Sequence, residues 1–154
     1  RVWTTMQGEV YGSRILEAMP ADGMFLSIDR LQRANVSFCV VSHKTEFPYL
    51  GEKVNLHRAA KGWFEDKGFF SKEGLGWSVE DVHFELTKEL KVEKILELGC
   101  SYYVDDLPEI LDMLPCTITK YLYDPMGNHL GSNKWLRFSS WFEFPEMVLS
   151  SAHA

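Results

Sequence analysis

Three short apolar runs in this chain end on residues that could together hold a phosphoryl group and a divalent cation. The run 36–41 (VSFCVV) delivers Ser42, His43, Lys44 and Thr45. The run 82–86 (VHFEL) leads into Thr87, then Lys88, Lys91 and Lys94 at three-residue steps. The run 101–104 (SYYV) ends on Asp105 and Asp106, followed by Leu107, Pro108 and Glu109. A hydroxyl donates to a phosphate oxygen, an ammonium neutralises its charge, and carboxylates hold a hard cation through oxygen. Two adjacent carboxylates repel each other, which favours a cation beside them. Each group also has a plain structural reading. A serine closing a strand is a turn residue, a helical lysine belongs to a solvated face, and His43 is an exposed loop imidazole. Asp105 and Asp106 then cap the helix that Pro108 opens.

These residues need elements to position them. The near-continuous apolar run 36–41 reads as a strand covered on both faces, as in a parallel sheet; 82–86 reads as a strand with apolar residues on alternate positions, and 101–104 as a buried strand. Between them lie helical patterns. Pro20 opens one with Met24, Ile28 and Leu31 on a single face, ending at Asn35. Asn55 caps a second, whose face is Leu56, Ala59, Ala60, Trp63 and Phe64 and whose stop is Gly68. A glycine-rich surface segment, 69–77 (FFSKEGLGW), follows. Thr87 caps a third helix with Leu90, Ile95 and Leu98 leaning inward, and Gly99 ends it. A helix over 107–114 stops at Pro115, 117–123 forms another strand, and Asp124-Pro125-Met126-Gly127-Asn128 is a turn. Ser140-Trp141-Phe142-Glu143 is the capping box of a last helix with Met147, Val148 and Leu149. Residues 1–19 are loosely helical and interrupted by Gly8 and Gly12. The alternation predicts a three-layer α/β domain with a mainly parallel sheet, in which ligands lie beyond the carboxyl ends of the strands.

At 154 residues the chain fits one domain. Sixteen basic against 22 acidic side chains give a net charge of −6, which argues against nucleic acid or an anionic membrane as partner. Cys39, Cys100 and Cys116 lack CxxC spacing and read as reduced, buried thiols, so a cytoplasmic location is expected. No apolar run approaches the roughly 20 residues of a membrane helix, and none reads as a signal peptide. The absence of GxGxxG and of GKS or GKT excludes the usual nucleotide-binding turns.

The order and spacing of the three strand ends resemble the haloacid dehalogenase-like (HAD) superfamily, mostly Mg2+-dependent phosphohydrolases. More narrowly, Met6-Gln7-Gly8-Glu9-Val10-Tyr11-Gly12, Ser42-His43-Lys44-Thr45, Phe84-Glu85-Leu86-Thr87-Lys88 and Val104-Asp105-Asp106-Leu107-Pro108-Glu109 resemble one bacterial subfamily of it. The resemblance implies a phosphorylated small molecule as substrate and Mg2+ as cofactor. It makes Ser42 the phosphate donor and Asp105 the Mg2+ ligand, with Asp106 as second ligand or orienter. Lys91, 14 residues before Asp105, takes the place of the helix-borne lysine, with Lys88 the alternative. His43 and Lys44 reach the same mouth.

One departure is decisive. The family's nucleophile and its acid/base come from an Asp-x-Asp strand end, and no Asp-x-Asp occurs in these 154 residues. No catalytic nucleophile is therefore assigned. Residues 1–19 resemble a remnant of a small helical cap or linker region, and 20–154 a HAD-like Rossmannoid core lacking its first, central strand. The expected strand order is 117–123, 101–104, 36–41, 82–86. The two strands flanking the missing one then pair directly, or the slot is filled from residues 1–12 or by another copy, giving a homo-oligomer through the exposed sheet edge. The non-enzymatic alternative is a phosphate- or metal-binding module. A signalling receiver domain would carry its acidic pair on the first strand, before the hydroxyl and the lysine; here the pair follows both.

Overall fold

A computed structural model describes residues 15–48 and 55–151 of the chain. In order they form α1 (Met24–Arg33), β1 (Val40–His43), α2 (Leu56–Asp66), β2 (Val82–Glu85), α3 (Lys88–Glu97), β3 (Tyr102–Asp105), α4 (Pro108–Met113), β4 (Thr119–Tyr123), β5 (Leu136–Phe138) and α5 (Phe144–Ser151). Every strand pairing is parallel. This is an α/β fold with short parallel sheets, as the alternation of apolar runs and helical patterns implies. The strands fall into two sheets, β1–β2 and β3–β4–β5. The chain forms two compact units, 1–20 with 38–91 and 21–37 with 92–154, so the boundary falls inside α3.

Direct pairing of the 36–41 and 101–104 runs does not occur among the described residues: β1 pairs with β2, and β3 with β4. Filling of the slot from residues 1–12 falls outside the described residues. So do the motif at Met6–Gly12 and the cap-like reading of residues 1–14.

In the first unit, β1 and β2 run in register from Val40↔Val82 to His43↔Glu85. β1 therefore begins at Val40 rather than at Val36, because its partner offers a ladder only over 82–85. Aromatic rings fill the space beside it. Phe69 packs edge-on against Phe64 and Trp77, and Trp63 and Phe38 extend the cluster. The segment 69–77 is thus only partly surface: Ser71, Lys72, Glu73 and Gly76 are exposed, while Phe69, Leu75 and Trp77 are buried in the core. Its chain folds back on the end of α2, with the Leu75 amide donating to the Gly68 carbonyl at 3.1 Å. An added Cβ at Gly74 would lie 1.8 Å from that carbonyl oxygen, whereas one at Gly62, inside α2, would meet nothing within 4 Å. Gly74→Ala should cost about 2 kcal/mol by forcing the two backbones apart. Gly62→Ala should instead stabilise by roughly 0.5 kcal/mol through the unfolded chain. Urea unfolding of the two variants checks the opposite signs.

In the second unit, β4 is central. Tyr121 and Leu122 are fully buried, among Ile110, Leu111, Phe138 and Phe144. Phe138, Trp141 and Phe144 form a mutually packed aromatic group that Tyr121 and Tyr123 join from β4. Ser27, buried on α1, donates to the Trp141 carbonyl at 2.5 Å, so its polar group is satisfied. Strand β5 was not anticipated; it is three residues long and carries an exposed Leu136. The last helix starts at Phe144. Ser140 caps only the turn before it, accepting from the Phe142 amide, and the Glu143 carboxylate accepts from Ser139 instead of completing a capping box.

Helices α1, α2 and α3 end in one way. Asn35, Gly68 and Gly99 adopt positive φ, and the next amide reaches back to Leu31, Phe64 and Ile95 respectively. The last carbonyls are thereby satisfied and the chain turns sharply away from the helix axis.

Candidate functional site

In the first unit the parallel register sets the ends of β1 and β2 side by side. His43 lies opposite Glu85, and the Lys44 amide continues the ladder to the Glu85 carbonyl at 2.9 Å. Ser42 and His43 are therefore strand residues, not the first residues of a loop; Ser42 is half-buried opposite Phe84, and His43 is exposed. Three residues beyond Glu85, Lys88 opens α3, with Thr87 Oγ1 accepting the Leu90 amide at 3.1 Å as its cap. One sheet edge thus carries the Ser42–Thr45 segment and the start of the lysine-bearing helix. Burial pulls the Lys44 ammonium below its ordinary pKa.

Helix α3 is turned differently from its leucine pattern. Leu90 and Leu98 are 42% and 40% exposed, while Lys91 is 6% exposed and Ile95 fully buried. The inward stripe runs through Lys91 and Ile95, one helical turn apart, and not through the leucines. Lys88 is half-buried on the preceding turn, and Lys94 pairs with Glu97 at 2.9 Å.

In the second unit, Asp105 is the last residue of β3 and is buried, whereas Asp106 is exposed. Asp105 Oδ1 accepts the Leu107 amide at 2.9 Å. This turn aims the chain into α4, where Pro108 takes the first position and Leu107 the cap position without a side-chain cap. The structural role foreseen for the acidic pair is thus met at Asp105. Among the described residues, no three His, Cys, Asp or Glu side chains gather as a metal cluster. As donors for Mg2+, Asp105 and Asp106 still fit, since this hard cation accepts one or two carboxylates and keeps several waters.

A second carboxylate at the same sheet edge was missed as a site feature. Asp105 lies opposite Leu122, and Asp124 follows two residues on. The Asp124 oxygens accept the Asn128 amide at 2.9 Å, the His129 amide at 3.0 Å and Arg137 Nε at 2.6 Å. Burial pushes the Asp124 carboxyl up, but the Arg137 guanidinium and the His129 and Asn128 amides outweigh it and hold the pKa at about 2. With its oxygens so occupied, Asp124 anchors the 124–131 loop and is not a metal ligand. Unfolded, this carboxyl titrates near 3.8. A depressed folded pKa contributes stability that is present above the unfolded value and lost as the pH falls through the folded one. The stability difference between the wild-type chain and Arg137→Met should hold steady down to about pH 5 and shrink between about pH 4 and pH 2. Urea unfolding across that range reads it, and a constant gap would mean that Arg137 acts by packing alone.

His57, on α2, was also missed. Its Nε2 lies 2.6 Å from the Lys44 carbonyl oxygen and its ring stacks on Phe84. No sequence signal marks this contact, which joins a helix to a strand end 13 residues earlier.

The chain is 30% identical over 102 residues to a protein of Oceanobacillus iheyensis named "Putative nucleotidase". The match covers 64% of this chain and 50% of that protein, so the chain spans about half the length of the relative it matches. No family model matches the chain, and no solved structure does. No helix among the described residues is long and apolar enough to cross a membrane.

Proposed function

We propose that this chain provides the phosphate- and metal-binding residues of a Mg2+-dependent, HAD-like phosphomonoester hydrolase. The observation that carries this reading is the burial of Lys91 on α3 while the helix's leucines face outward. A sequence that gives the inward position to an ammonium has placed a cation where a phosphoryl group could be bound. Ser42 donates to a phosphate oxygen and Lys91 neutralises its charge, with Lys88, His43 and Lys44 on the same sheet edge. Asp105, with Asp106 beside it, holds Mg2+ through its carboxylate oxygens. The likeness to a protein named a nucleotidase supports a phosphorylated small molecule as substrate and makes nucleotides the first class to assay.

A second reading is a non-catalytic phosphate- or metal-binding module, favoured by the lack of Asp-x-Asp in the sequence. Both readings require binding at the same residues. Titration of Mg2+ should move the backbone NMR signals of residues 104–107, and inorganic phosphate those of Ser42 and of the first turn of α3. If neither ligand moves these signals, or both move only a distant cluster, the site is wrongly placed and both readings fall.

A further inference from the structure

We infer that His57 is a positioning residue that holds the Ser42–His43–Lys44 strand end in register for ligand binding. A backbone carbonyl only accepts, so at 2.6 Å from the Lys44 oxygen His57 Nε2 must carry the proton and donate it. The imidazole ring lies nearly flat on Phe84, with centroids 5.2 Å apart and planes inclined by 22°. Phe84 is the ladder partner of Ser42. One side chain thus touches both strands at the site edge, Phe84 through its face and Lys44 through its edge.

The neighbouring bonds show why such a clamp matters. Beyond His43 the β1–β2 ladder contributes only the Lys44 amide, bound to Glu85. The start of α2 also holds the chain beyond Lys44. The Leu56 amide donates to the Glu46 carbonyl at 2.7 Å, and Asn55 Nδ2 to the Glu46 carboxylate at 3.2 Å. His57 supplies the bond to the Lys44 carbonyl, so its loss would release that carbonyl while leaving the Lys44 amide on Glu85 and the Glu46 bonds in place.

Two substitutions separate this role from simple packing. His57→Phe keeps a ring to stack on Phe84 and removes the donor. His57→Gln removes the ring and keeps an Nε2–H group at similar reach. Amide hydrogen exchange at Lys44 and Thr45 should quicken in His57→Phe and remain near wild type in His57→Gln. This readout involves no ligand. The binding readout rests on the proposed role of Ser42: inorganic phosphate, followed by the Ser42 amide signal, should bind roughly three- to tenfold more weakly to His57→Phe, as expected for one lost hydrogen bond. His57→Gln should restore it. The reverse pattern, a native-like Phe variant and a perturbed Gln variant, makes His57 a packing residue and overturns the inference. Unchanged exchange in both variants overturns it as well. If phosphate fails to move Ser42 even in the wild-type chain, the proposed function fails, while the exchange pattern still decides the role of His57.

Discussion

The 154-residue chain by itself should hydrolyse no phosphate monoester above background, with or without Mg2+. Covalent phosphoryl transfer by the resembled route needs an aspartate nucleophile and a second aspartate as acid/base, and the sequence contains no Asp-x-Asp. Ser42 sits half-buried within a strand opposite Phe84 rather than on an exposed turn. Removing a covalent nucleophile can cost on the order of 10⁶ in rate, which puts the remaining binding groups below detection in an ordinary assay. A protein that carries these residues together with an Asp-x-Asp strand should hydrolyse an aryl phosphate or a nucleoside monophosphate. It should lose that activity on Asp105→Asn, since the metal loses a charged ligand. Turnover by the 154-residue chain that survives repurification and disappears in Ser42→Ala would make Ser42 a nucleophile and overturn this account. Inactivity of both proteins towards every phosphate ester tried would favour the binding module.

What could be read in the sequence is what short-range chemistry dictates. Asn55 accepts the Arg58 amide and Thr87 the Leu90 amide, as their types and positions foretell. Gly68 and Gly99 end their helices for the same local reason. The parallel α/β class followed from the alternation of strand-like runs and helical patterns, and the strand ends carrying Ser42 and Asp105 were found to within a residue or two. What escaped depends on partners distant in sequence. On α3 the inward place expected for Ile95 holds, but Leu90 and Leu98 are exposed and Lys91 is buried in their stead. Segment 69–77 looked like surface because its glycines suggest a loop, yet Gly74 is required by a close backbone approach and the flanking aromatics make the core. β5 was invisible because three residues give no periodicity, and with it went Arg137, whose guanidinium neutralises Asp124 across 13 residues. His57 gave no signal because its partner is a carbonyl oxygen, which every residue has.

Lys91→Met should abolish most of the phosphate chemistry while leaving the fold in place. Methionine keeps an unbranched stem of similar length and is apolar, so the inward stripe of α3 stays packed around Ile95. What disappears is the ammonium. A charge-assisted bond to an anion is stronger than a neutral one, so inorganic phosphate should bind about ten- to a hundredfold more weakly to the variant chain. In a protein that also carries the Asp-x-Asp strand, charge builds on the phosphoryl oxygens during transfer, and the loss should deepen to about 10²–10³ in kcat. Lys88→Met is the control. Lys88 sits half-buried at the first position of the helix, one turn nearer the strand end, and its removal should cost far less. A larger effect at Lys88 than at Lys91 would transfer the phosphate role to Lys88. If Lys91→Met lowered the thermal midpoint sharply and left phosphate affinity intact, the buried ammonium would be a structural ion, and the observation on which the proposed function rests would lose its meaning.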